Sequence, residues 1–102
     1  MLMNVSMIPT GYSVADIGCD HGWVPIYLAV NGIATKVIAM DVADGPLMMA
    51  KGHIEEAGLS DRIIVRKSDG LTELKTDVNG IPEVQVALIA GMGGHLAIRL
   101  LE

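Results

Sequence analysis

The chain has no phenylalanine, one tryptophan and two tyrosines among its 102 residues, although 51% of them are hydrophobic. Its core must therefore be built from Val, Ile, Leu, Ala and Met side chains. Such a core is typical of α/β proteins, in which parallel strands are buried on both faces. The length predicts one small domain, residues 1–102, and a chain this short is expected to be marginally stable unless it associates.

Cysteine is almost absent. Cys19 is the single one, which excludes an internal disulfide and fits a reducing cytosol, so we expect a cytoplasmic protein. Cys19 as a nucleophile is one interpretation, and a small buried thiol is the preferred one. No apolar run approaches the roughly 18 residues of a membrane span, and the start lacks the basic residues of a signal peptide. We expect no membrane partner, and the methionines indicate core filling rather than a metal site.

Positive charge is also scarce, with 7 basic against 12 acidic residues and a net charge of −5. A surface that binds nucleic acid by itself needs clustered Lys and Arg to contact phosphates. The one basic cluster, Arg62, Arg66 and Lys67, is better interpreted as a solvated strand edge. The composition therefore argues against this segment being a nucleic-acid-binding surface on its own.

One glycine-containing stretch organises the chain. Val14–Ile17 is a short apolar strand with Asp16 near its end, and Gly18 and Gly22 follow before a helix. Small residues between a strand and a helix let a ligand approach the backbone and the helix N-terminus. Asp20 stands where the dinucleotide fingerprint has its second glycine, so the loop should repel phosphate and suit a cationic ligand such as S-adenosylmethionine better than NAD. A generic strand-to-helix turn is the alternative interpretation.

The remaining pattern alternates helices and apolar strands, which predicts an α/β fold with a parallel sheet of about four strands. We expect helices over Trp23–Asn31, from about Pro46 to Ala57 and from near His95, a short helical turn within 71–79, and strands over Lys36–Asp41, Ile63–Lys67 and Val84–Ala90.

Three of these strands end in a carboxylate, namely Asp16, Asp41 and, just past the third strand, Asp69. Ligands of open α/β sheets bind at the carboxyl ends of the strands. Asp41 lies about 20 residues beyond the glycine loop, where an acidic residue accepts both ribose hydroxyls of a nucleoside. A helix cap is the alternative role for Asp41. Together the three acids favour a nucleoside cofactor.

Four segments carry a resemblance to a known family: A-D-I-G-C-D-H-G-W-V-P-I-Y-L (15–28), A-M-D-V-A-D-G-P-L (39–47), D-G-L (69–71) and L-I-A-G-M-G-G-H-L (88–96). They resemble the bacterial tRNA adenine-N1 methyltransferases that modify adenine 22, which are class I S-adenosylmethionine-dependent enzymes. The resemblance implies a Rossmann-like sheet of order 3-2-1-4, S-adenosylmethionine as cofactor and tRNA as partner.

The resemblance also implies roles for individual residues. The first loop would hold the methionine part of the cofactor through Asp16, Gly18, Asp20, His21 and Gly22. Asp41 would hold the ribose, and Asp69 with Gly70 the adenine. The turn that faces the methyl group and target base would comprise Gly91, Met92, Gly93 and Gly94. His95 is a candidate proton acceptor there, although the start of a helix is its preferred interpretation.

The chain lacks the family's later strands and its helical, tRNA-gripping region. We therefore expect Val84–Ala90 to be an open sheet edge, and a homo-oligomer to form through it, since exposed apolar edges pair with other chains. The expected function is an incomplete S-adenosylmethionine-dependent tRNA methyltransferase domain. The alternatives are a cofactor-binding module without catalysis and an NAD-type nucleotide-binding domain.

Overall fold

The computed structural model describes residues 2–3, 11–19, 22–90 and 96–101. Within these ranges the chain forms a mixed sheet and two helices. In chain order the elements are β1 (Leu2–Met3), β2 (Tyr12–Ile17), α1 (Trp23–Val30), β3 (Ala34–Asp41), α2 (Asp44–Glu56), β4 (Ile63–Lys67), β5 (Val86–Ala90) and β6 (Leu96–Leu100). No helix in the described ranges is long and apolar enough to cross a membrane.

The sheet has the strand order β1-β6-β5-β2-β3-β4. The strands β5, β2, β3 and β4 are parallel to one another. They are the four predicted strands, and their order is the predicted 3-2-1-4, so the α/β fold is confirmed. Because parallel strands point the same way, the ends of β2, β3 and β4 lie along one edge of the sheet.

The outer edge of β5 is covered, which corrects two predictions. Strand β6 pairs with β5 in antiparallel register, from Val86 opposite Leu100 to Ala90 opposite Leu96, and β1 pairs with β6. The expected open edge at Val84–Ala90 and the expected helix from near His95 are both wrong, because the backbone of 96–100 bonds to β5 instead of to itself. The homo-oligomer was predicted from that open edge, so it loses its structural basis.

The sheet also has six strands within the described ranges instead of about four, and β5 begins at residue 86 instead of 84. Val84 is nevertheless fully buried. It packs on the face of the sheet opposite the helices with Ala15, Ile38 and Met40, where Leu74 and Leu101 provide further cover. The segment 68–85, which crosses this face, forms turns and one isolated bridge between Thr76 and Pro82. Where a short helical turn was expected within 71–79, the Leu74 N–H donates to the Leu71 carbonyl at 3.0 Å in a turn, and no helix forms.

Helices α1 and α2 cover the other face, where the larger core cluster lies. Pro25 sits in the first turn of α1, where its missing N–H costs no hydrogen bond. Gly22, just before α1, has a φ of 82°, and a Cβ atom there would lie 3.0 Å from the Cβ and 3.1 Å from the Cα of Ala50 on α2. Glycine is therefore required at residue 22 both by the left-handed backbone and by the close approach of the two helices.

Candidate functional site

Three predicted acids lie at the carboxyl ends of three adjacent parallel strands. Asp16 is the penultimate residue of β2, Asp41 is the last residue of β3, and Asp69 follows β4 by two residues. Asp41 pairs in register with Lys67, the last residue of β4. The neighbouring ends are also joined beyond the sheet, because the Ser68 N–H donates to the Asp41 carbonyl at 2.9 Å.

The turn after β2 is anchored on β3. The backbone N–H groups of Gly18 and Cys19 both donate to the carbonyl oxygen of Met40 at 2.9 Å, and the Gly22 N–H donates to the Cys19 carbonyl at 2.9 Å. Gly18 has a φ of 74°, and a Cβ atom added to it would meet no atom of the described residues within 4 Å. The turn therefore needs glycine at residue 18 for its backbone, and no other described residue fills the space beside it.

The Asp16 carboxyl group is buried, with 3% of the residue exposed. Burial, and then the negative charge of Asp41, raise its pKa to about 7. A buried carboxyl group that is close to half protonated at neutral pH would gain from a positive charge nearby, since that would favour its ionised form.

The Asp41 carboxylate is fixed on one side and available on the other. Its Oδ1 accepts the Ala43 N–H at 3.1 Å, and the side chain is partly exposed. Within the described residues its Oδ2 takes no hydrogen bond. An oriented carboxylate with free acceptor positions can accept hydroxyl donors from a ligand. It does not cap α2, whose N-cap residue is Ala43.

Ser68, which is not among the predicted site residues, shapes the turn that carries Asp69. Its hydroxyl is buried, donates to the Gly70 carbonyl at 2.8 Å and accepts the Glu73 N–H at 3.2 Å. Gly70 takes a φ of 60° in this turn. A serine directly before Asp-Gly at a strand end is a signal for such a turn, so the residue could have been singled out from the sequence.

A hollow of about 390 Å³ lies at this edge of the sheet. It is lined by Val42, Lys67, Ser68, Asp69, Thr72 and Glu73. The structure thus brings Asp69 to a concavity next to the end of β3, whereas Gly70 supports the turn without lining it. Pockets for small ligands start at about 300 Å³. A second hollow of about 460 Å³, between α2 and β4, contains no predicted site residue.

The basic residues of β4 and its preceding turn are engaged within the chain. Arg62 donates to the Ala34 carbonyl at 3.1 Å, Arg66 bonds Glu83 at 2.8 Å, and exposed Lys67 lies 3.2 Å from Asp44. The interpretation as a solvated edge holds for Lys67, whereas the two arginines are partly buried. These residues do not form a shared basic surface for nucleic acid.

Cys19 is buried, in agreement with the preferred interpretation of a small core thiol. His53 on α2 stacks on Trp23 of α1 with ring centroids 4.1 Å apart and an angle of 18°. That contact between α1 and α2 was missed because 30 residues separate the two rings in the sequence. The predicted site residues Asp20, His21, Gly91, Met92, Gly93, Gly94 and His95 lie outside the described residues.

The fold and the acidic strand ends can be compared with known proteins. The whole chain, residues 1–102, matches the family model of a methyltransferase domain. The chain belongs to the methyltransferase domain family. The family predicted from the sequence segments is thus confirmed at this level.

Individual members of the methyltransferase family are also similar to this chain. The tRNA (adenine(22)-N(1))-methyltransferase of Bacillus subtilis (strain 168) is 42% identical over 95 residues, which are 93% of this chain and 38% of that protein. The structure of M. capricolum TrmK with S-adenosyl-homocysteine is 32% identical with a TM-score of 0.76, over 84% of this chain and 37% of that one.

A further similar structure is a putative tRNA (m1A22) methyltransferase of Streptococcus pneumoniae in complex with S-adenosyl-L-methionine. It is 35% identical with a TM-score of 0.74, over 86% of this chain and 39% of that one. The chain therefore spans about two fifths of the length of these methyltransferases.

Proposed function

We propose that this chain is the cofactor-binding part of an S-adenosylmethionine-dependent methyltransferase whose full-length form methylates N1 of adenine in tRNA. The observation that carries the proposal is the convergence, at one sheet edge, of the Asp41 carboxylate, the hollow beside Asp69 and the open side of Gly18. The similar tRNA methyltransferases supply the substrate class.

The residues at the end of β3 fit a ribose. The Ala43 N–H orients the Asp41 carboxylate through Oδ1, and the remaining acceptor positions can take the two vicinal hydroxyls of a nucleoside. An asparagine at this position would offer the ribose hydroxyls only one acceptor oxygen, whereas the carboxylate offers two. We assign ribose binding to Asp41 on this ground.

The hollow after β4 fits an adenine ring. It begins at Ser68, whose buried hydroxyl closes the turn that carries Asp69 and Gly70. Val42, an exposed aliphatic residue between β3 and α2, provides an apolar wall against which a ring can pack. We assign adenine binding to this turn, with Asp69 as the polar group in the hollow.

The turn after β2 fits the charged end of the cofactor. S-adenosylmethionine, when bound, supplies a methyl group on a positively charged sulfur together with an ammonium group. The open side of Gly18 gives access to the backbone, and buried Asp16 offers a carboxyl group whose ionised form a nearby cation stabilises. Asp20 and His21 belong to the same proposed loop. For Gly22 the close contact with Ala50 supports a packing role next to the ligand.

The proposed reaction needs alignment more than a base. N1 of neutral adenine carries a lone pair in the ring plane, so no proton has to be removed before it accepts a methyl group, and most of the acceleration can come from proximity. Gly91, Met92, Gly93 and Gly94 are proposed to line the space for the methyl group and base, with His95 beside them. N1 lies on the pairing edge, so the adenine has to be unpaired or flipped out.

Calorimetric titration with S-adenosylhomocysteine and with NAD tests the cofactor assignment. We expect saturable binding of the former, no binding of NAD, and a loss of about tenfold or more in Asp41→Asn, since a charged acceptor of a ligand hydroxyl is removed. Asp61→Asn is the matched control, because Asp61 is an exposed carboxylate just before the start of β4, at the opposite end of the strand from the proposed site. NAD binding, or equal affinity of both variants, would contradict the assignment.

A cofactor-binding module without catalysis is the second candidate, because the chain spans 38% of the similar Bacillus subtilis enzyme. A methyl-transfer assay on tRNA separates the two functions. Transfer of the methyl group to N1 of adenine supports the enzyme, whereas cofactor binding without transfer by the full-length protein supports the module.

A further inference from the structure

Arg66 connects β4 to the segment that crosses the sheet from residue 68 to residue 85. Its Nη1 donates to Oε1 of Glu83 at 2.8 Å and to the carbonyl oxygen of Glu73 at 3.2 Å. The two side chains of the ion pair are 20% and 18% exposed, for Arg66 and Glu83 respectively. A pair shielded from solvent in this way is less weakened by water than a surface salt bridge.

Glu83 extends the same network to a third point of the segment. Its Oε2 accepts the Lys75 N–H at 2.7 Å, and its own N–H donates to the Lys75 carbonyl at 3.0 Å. Burial raises the pKa of Glu83, but the hydrogen bonds from Arg66 and Lys75 outweigh that effect and hold the pKa below its usual value. The carboxylate is therefore ionised at neutral pH and keeps both of its hydrogen bonds.

Glu73 is the residue through which this network reaches the hollow. Its N–H donates to the Ser68 hydroxyl and its carbonyl accepts from Arg66, so one residue of the hollow's wall is held from both sides. Neither Arg66 nor Glu83 lines the hollow. The wall at 72–73 belongs to no helix or strand, so its position depends on such side-chain contacts.

We propose that Arg66 and Glu83 are positioning residues that hold the 68–73 turn in the shape that accepts the cofactor's adenine. This inference rests on the proposed function, because it takes the hollow as the adenine site. The guanidinium group is suited to the task, since its several N–H donors lie in a fixed plane and can serve a carboxylate and a carbonyl at the same time.

The test compares two arginines of the same region. Arg66→Met removes the contacts with Glu83 and Glu73, and Arg62→Met removes the contact with the Ala34 carbonyl near the start of β4. Both substitutions remove a partly buried guanidinium, so both are expected to lower the melting temperature. Calorimetry then gives the Kd of each variant for S-adenosylhomocysteine and for S-inosylhomocysteine, in which a carbonyl replaces the amino group of adenine.

We expect Arg66→Met to bind S-adenosylhomocysteine about tenfold more weakly than the wild type and to lose part of its preference over the inosine analogue. Arg62→Met should stay within about twofold of the wild type and keep that preference. Glu83→Gln keeps the size of the side chain and one carbonyl acceptor, so we expect a smaller loss of the same kind. This milder variant decides the matter if Arg66→Met does not fold.

Three results would overturn the inference. If Arg66→Met and Glu83→Gln bind both ligands as the wild type does, the positioning role alone is refuted. If Arg62→Met loses as much affinity and preference as Arg66→Met, the effect is one of general stability. If the wild type binds neither ligand, the proposed function fails and the inference fails with it.

Discussion

The negative charge of Asp41, at the end of the neighbouring strand, adds to burial in raising the pKa of Asp16. The Asp16 carboxyl group is therefore close to half protonated at neutral pH. Because the folded state then keeps a proton that the unfolded chain has already lost, stability falls as pH rises from about 4 to about 7. The shift from 3.8 to about 7 corresponds to up to about 4 kcal/mol, since one pKa unit is worth about 1.4 kcal/mol.

Urea unfolding of the wild type and Asp16→Asn at pH 5 and pH 8 measures this contribution. The amide has no proton to lose, so we expect Asp16→Asn to gain stability relative to the wild type on going from pH 5 to pH 8. The comparison between the two proteins cancels the titration of other groups. An unchanged difference in unfolding free energy at the two pH values would show that Asp16 does not hold its proton.

Gly18 and Gly22 of the first loop are expected to differ in how much their replacement by alanine lowers stability. Gly22→Ala would place a Cβ atom 3.0 Å from the Cβ of Ala50, so overpacking adds to the strain of a positive φ and we expect a loss of about 2 to 4 kcal/mol in stability. Gly18→Ala meets no atom of the residues that the structure describes and should cost about 1 kcal/mol. Thermal unfolding measures both.

Ligand affinity separates the same two variants in the opposite sense. The Cβ of Gly18→Ala would point into the space proposed for the cofactor. S-adenosylhomocysteine should therefore bind at least about tenfold more weakly to Gly18→Ala than to Gly22→Ala, although Gly22→Ala loses more stability. Gly18→Ala with wild-type affinity would mean that this space is not used.

The packing of β6 can be tested by substitutions at two aliphatic residues that differ in exposure. Ile98 is 9% exposed and belongs to the core under the helices, whereas Leu100 is 63% exposed. We expect Ile98→Ala to cost about 2 to 4 kcal/mol and Leu100→Ala less than about 1 kcal/mol, as measured by urea unfolding. Ile98 lies opposite Leu88 of β5, so the cost of Ile98→Ala tests the packing of β6 on the sheet, and a larger cost at Leu100 than at Ile98 would contradict it.

The strands that lead to the site could be predicted because their sequences carry strong local signals. Lys36–Asp41 and Ile63–Lys67 are short apolar runs that end in polar residues, and the structure has strands at both places. The positions of Asp41 and Asp69 at the carboxyl end of the sheet follow directly from those runs. The order of the four parallel strands was implied by the resemblance and is confirmed.

The elements that could not be predicted depend on distant parts of the chain. Leu96–Leu100 is short enough to suit a helix or a strand by its pattern, and the edge of β5 decides between them by supplying hydrogen bonds. Arg66 and Glu83 are 17 residues apart, and nothing in their local sequence pairs them. They meet because the path of the 68–85 segment brings Glu83 to Arg66.

The most direct test of the cofactor site is a titration of the ¹⁵N-labelled chain with S-adenosylhomocysteine, followed by amide chemical shifts. We predict the largest changes at Gly18, Ala43, Ser68 and Asp69, which surround the ends of β2, β3 and β4, and little change at Ile64, which lines the hollow between α2 and β4. Shifts concentrated at Ile64 and its neighbours, with the four amides unmoved, would contradict the account.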